Sequence, residues 1–158
     1  MGRVENISKF AQTRNETQAR EEAAKVQRME QYKEQIRSLK PRIDELLEVG
    51  NACLEHNIPL EGRRWGGHEG YDTHQFITNS WSHLLGFVWK YEKGTRLPQP
   101  FTKLGIMGGG ACNYNLETDG ETIGVSGGDI LYVLKRFVDE FDKFEDEFYK
   151  YVDGITTN

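Results

Sequence analysis

The chain has 158 residues and a formal net charge of −5, a length that one domain can fold and bury without disulfide or metal support. The mildly acidic balance argues against nucleic acid as a direct ligand. An aromatic content of 11% argues against disorder.

Residues 1–13 are polar and read as a mobile arm or a short helical lead-in. From Asn15 the composition turns to Glu, Gln, Ala, Arg and Lys, with no glycine before Gly50. A helical segment is therefore expected over 14–56. Met29, Tyr32, Ile36, Leu39, Ile43, Leu46, Gly50 and Cys53 follow one another at steps of three and four, which draws a seam along one helix face. Pro41 lies within this run and removes one backbone donor. The seam keeps its phase across it, so a kink or a near-continuous pair of helices is predicted. The alternative is a second helix over 41–56 with Pro41 in its first turn. Residues 14–28 hold only Val26 as a sizeable apolar side chain. Their expected role is to project, or to meet another chain.

Glycine and aromatic residues dominate 57–128. Strands are expected near 73–78, 83–91, 103–108, 111–117 and 121–125, with Thr118-Asp119-Gly120 as the turn of a hairpin. Short strands joined by tight turns form an antiparallel meander. Asp129 then caps a helix over 129–155, whose apolar positions Ile130, Leu134, Phe137, Phe141, Phe144, Phe148, Tyr151 and Ile155 line one face. Residues 129–153 carry eight acidic and four basic side chains, so most of the net charge belongs to this helix. The expected fold is α+β in a single domain: a long N-terminal helix, kinked or broken near Pro41, a central sheet of four to five short strands, and a long C-terminal helix packed on it.

Residues 63–74 concentrate the chemistry. Arg63, Arg64, Trp65, His68, Glu69, Tyr71, Asp72 and His74 stand among three glycines. Histidines with carboxylates serve as metal ligands or acid–base groups, and arginine beside tryptophan is typical of binding hot spots. No metal-site spacing is matched. The segment is read as a Gly-rich surface loop whose polar side chains either bond its own backbone or bind a ligand or partner, with no catalytic residue, metal or cofactor assigned. Asp72 and His74, two apart, would share a strand face. The Gly108-Gly109-Gly110 run is a second candidate, either a strand turn or an anion-binding nest. Cys112 beside it would serve a cysteine hydrolase only if a histidine approached. Cys53 and Cys112 show no paired spacing and read as free thiols of a reducing compartment.

Residues 46–74 and 135–151 resemble small proteins carried by bacterial phages and conjugative elements. That resemblance implies a chain that binds and inhibits or modifies a host system. Together with the helical seams it leads to the expectation of a non-enzymatic, cytoplasmic protein-binding module. Such a module would take a protein partner, form a homo-oligomer through the N-terminal helix, and have no membrane attachment. A nucleotide or small-anion binder using the glycine loops with Arg63 and Arg64 is the alternative, and a metal- or Cys-dependent hydrolase the second alternative.

Overall fold

In a computed structural model, residues 2–60, 64–68, 71–75, 83–90, 99–108 and 115–157 are described, with side chains for 2–60, 85–88, 99–106 and 116–157. The elements run α1 (Arg3–Ser38), α2 (Lys40–Glu55), β1 (Arg64–His68), β2 (Tyr71–Gln75), β3 (His83–Lys90), β4 (Lys103–Gly108), β5 (Asn115–Thr118), β6 (Ile123–Ser126) and α3 (Ile130–Thr156). The fold is α+β. All six strands form one antiparallel sheet in sequence order. It exceeds the expected four to five strands because β1 lies in the segment expected to be a loop.

The helical alternative for the first residues is the one that holds. α1 begins at Arg3 rather than near Asn15, because nothing between Arg3 and Lys40 is glycine or proline. α1 and α2 are the expected near-continuous pair. The Leu39 amide turns back to the Ile36 carbonyl at 3.0 Å, and the Leu39 carbonyl accepts the first bond of α2 from Ile43 at 2.8 Å. Pro41 sits in the first turn of α2, where a missing N–H leaves no bond broken. The seam survives this one-residue break: Ile36, Ile43, Leu46 and Cys53 are all buried.

The core lies between the three helices and one face of the sheet. A row of paired positions crosses all six strands: Arg64, His74, Phe87, Leu104, Thr118 and Ile123. Phe87 is fully buried at its centre. Its ring stacks on Phe101 at 4.9 Å and meets Phe148 and Phe144 edge-on at 5.1 and 5.7 Å, pairs worth about 0.5–1.5 kcal/mol each beyond their buried area. α3 supplies Val133, Leu134, Phe137, Phe141, Phe144 and Phe148 as its buried stripe. Its start is capped as expected, with Asp129 accepting from the Tyr132 amide at 3.1 Å.

Two clasps fix the helices on this layer. The Arg42 guanidinium donates through Nε and Nη2 to both carboxylate oxygens of Glu145, at 3.0 and 2.6 Å, and through Nη2 to Asp142 at 2.6 Å. It also rests 4.9 Å from the centre of the Phe141 ring. The Asn51 amide pairs with the backbone of Phe101 as a neighbouring strand would, donating to its carbonyl at 2.8 Å and accepting from its N–H at 2.6 Å. Farther along, the Tyr151 hydroxyl donates to the Pro59 carbonyl.

Candidate functional site

The segment singled out for its chemistry folds into a β-hairpin. β1 pairs with β2 antiparallel, with Arg64 opposite His74, Trp65 opposite Thr73 and His68 opposite Tyr71, and the register shifts between Trp65 and His68. Glycines 66 and 67 occupy that irregularity, as bulged strands favour. β1 is an edge strand, and β2 continues the sheet through β3, with Tyr71 opposite Lys90 and Asp72 opposite Trp89.

This register divides the expected set. Directly paired residues share a face, and neighbours along a strand alternate. Arg64, Asp72 and His74 therefore occupy positions on the face that carries Phe87. Trp65, Tyr71 and, past the irregularity, His68 occupy positions on the opposite face. Asp72 and His74 share a face as expected, whereas His68 is not on it. Arg63 and Glu69 lie outside the described residues, as do Gly109, Gly110 and Cys112, so the nest and the cysteine hydrolase are not addressed there. Among the described residues no group of three or more His, Cys, Asp or Glu side chains is arranged to hold a metal ion. α3 lies against β3, β4, β5 and β6, which leaves the hairpin at the far end of the sheet.

The acidic face of α3, which holds most of the net charge, is largely neutralised by its own neighbours. Lys135 meets Asp139 at 2.7 Å, Arg136 meets Glu140 at 2.9 Å and Lys150 meets Asp146 at 3.0 Å. Asp142 and Glu145 are taken by Arg42. Cys53 is packed in the interior, and burial pushes its thiol up from the ordinary range, which suits packing rather than nucleophilic chemistry.

The sequence reading expected residues 14–28 to project but missed the exposed apolar tip at the start of the chain. α1 lies against α3, and α2 and the turn after it meet α3 in order: Arg42 binds Asp142 and Glu145, and Pro59 binds Tyr151. The helices thus run in the same direction, and α3 starts beside the Met29 turn of α1. Upstream of that point α1 has no α3 to lie on. Every residue from 3 to 28 is exposed except the half-buried Ala11. At 1.5 Å per residue this arm is about 39 Å long. Its tip exposes Val4, Ile7 and Phe10 at 78, 67 and 68%. The signal for it was a three-residue apolar spacing inside residues treated as unpatterned.

No helix among the described residues is long and apolar enough to cross a membrane. Comparison with family models, curated proteins and solved structures gives no match.

Proposed function

We propose that this protein is a non-enzymatic protein-binding module that engages its partner through the projecting half of α1. One observation carries the reading: a helical arm leaves the packed body and presents Val4, Ile7 and Phe10 to solvent. Helices in proteins draw most of their stability from tertiary packing, which this stretch lacks, and three large apolar side chains on exposed turns gain nothing within the chain. Both costs are offset when a partner covers the arm, since each apolar side chain contributes about 1.5–3 kcal/mol on burial. The acidic balance and the self-paired face of α3 favour contact through apolar surface over nucleic-acid binding. The resemblance to phage and conjugative-element proteins supports a bacterial host factor as a target, and the β1–β2 hairpin offers a second contact region at the sheet edge.

The test is affinity capture from a bacterial lysate with three baits: the wild type, V4S/I7S/F10S, and R63A/R64A/W65A. Partners lost with the first variant and kept with the second assign recognition to the arm. Recovery unaffected by the arm substitutions would remove α1 from recognition.

A further inference from the structure

Resting on the reading of α1 as a binding arm, we propose that the arm's own occupant is the arm of a second copy, packed antiparallel so that each tip covers the other's base. The large apolar side chains exposed among the described residues are Val4, Ile7, Phe10, Val26, Tyr132 and Ile155. The first three form the tip. Val26 lies at the base, Tyr132 is in the α3 turn that starts beside it, and Met29, half-buried on the core, completes the base. Only Ile155 belongs to neither group.

The spacing of the two groups fits one pairing. Val4 to Val26 and Ile7 to Met29 are each 22 residues apart, which at 3.6 residues per turn is about six turns. Tip and base therefore fall on nearly the same face of α1. A second arm running the opposite way sets Val4 across from Met29 and Ile7 across from Val26, and two-fold symmetry repeats both contacts at the other end. Between them Asn15 faces Gln18 and Ala11 faces Glu22, so a small side chain leaves room for the one carboxylate on the seam. A polar residue such as Asn15 at a helix interface also favours one register and orientation.

Charge selects the same direction. Residues 3–14 carry Arg3, Lys9 and Arg14 against Glu5, a net of +2, whereas residues 19–30, which face them in this register, carry Glu21, Glu22 and Glu30 against Arg20, Lys25 and Arg28, a net of zero. Parallel arms would bring two +2 tips together. Antiparallel arms set each tip on a neutral base and avoid that repulsion.

Sedimentation equilibrium and cysteine cross-linking test this with the full chain. The wild type is expected as a dimer, and V4S/I7S/F10S as a chain whose dimerisation is weaker by at least about a hundredfold with an unchanged melting temperature. In a C112S background, I7C mixed with V26C is expected to form an inter-chain disulfide that neither forms alone. Self-linking of I7C would establish parallel arms and overturn the proposal. A wild-type monomer, or a dimer insensitive to the tip substitutions, would overturn it as well. In that case a partner captured through the arm in the lysate experiment would still sustain the binding-arm reading with a foreign occupant, so the two failures are distinguishable.

Discussion

Gly50 sits where α2 crosses the Phe87 ring, and a Cβ added there would lie 2.8 Å from Phe87 Cε1 and 2.9 Å from Cζ. Two effects compete on substitution. Alanine favours a helix interior over glycine by about 1 kcal/mol, while overpacking a core commonly costs about 1–3 kcal/mol. Phe87 is held among Phe101, Phe144 and Phe148 and cannot yield cheaply, so packing wins. Gly50→Ala is expected to lower stability by about 1–2 kcal/mol in urea titration, and pairing it with Phe87→Leu should cost less than the two changes added. Tyr149 makes the opposite case. Its buried hydroxyl finds no hydrogen-bond partner among the described residues, and burial, with Glu45 and Glu145 nearby, pushes the phenol up to about 12. Removing an unsatisfied buried group relieves its desolvation cost. Tyr149→Phe should therefore leave stability unchanged or raise it by up to about 1 kcal/mol; a clear loss in the same titration would reveal a partner for that hydroxyl.

At the scale of elements, the β5–β6 turn is a small electrostatic device. One Asp119 carboxylate oxygen accepts from the amides of Glu121 and Thr122 at 2.8 and 2.9 Å, and the Thr122 hydroxyl adds a further bond. These bonds, that from the Thr122 amide first, hold the carboxyl below the ordinary aspartate range. A depressed folded-state pKa contributes stability that is present above the unfolded value, about 3.9, and is lost as pH falls through the folded one. The stability gap between wild type and Asp119→Asn should be widest near neutrality and close on acidification below about pH 4. Urea midpoints at pH 7 and pH 3 measure it, and an equal gap at both would remove the carboxylate's charge from the account. Gly120 follows in the same turn at φ +94, with Lys40 of α2 only 2.9 Å from where a Cβ would stand, so turn chemistry and helix docking constrain one residue. This turn was readable from Thr118-Asp119-Gly120, and so were the seam of α1–α2 and the phenylalanine stripe of α3, because each is a local pattern. β1 was not. Trp65-Gly66-Gly67-His68 has no side chains in its middle to alternate, so its strand state depends on pairing with β2. The arrangement of the candidate site was unreadable for the same reason. Twelve residues rich in ligating groups look like one cluster in sequence, and only the strand register shows Arg64, Asp72 and His74 parted from Trp65, His68 and Tyr71.

For the whole molecule, the consequential division is between a body and an arm. The body keeps its core from Met29 onward, and no buried residue lies upstream of Ile36, so removal of residues 2–25 should shift the melting temperature by no more than about 4 °C, the effect of roughly 1 kcal/mol in a domain of this size. The arm is different, because its helical state lacks the tertiary packing from which helices in proteins draw most of their stability. If a second copy supplies the missing support, folding of the arm is linked to association and depends on protein concentration. Amides of residues 3–25 should then exchange rapidly in dilute solution and gain protection as the concentration rises through the dimer range, while those of α3 stay protected throughout. V4S/I7S/F10S should abolish the gain without touching α3. Protection of the arm that is equally high at every concentration would mean that the helix holds itself, and the physical need for a partner would disappear with it.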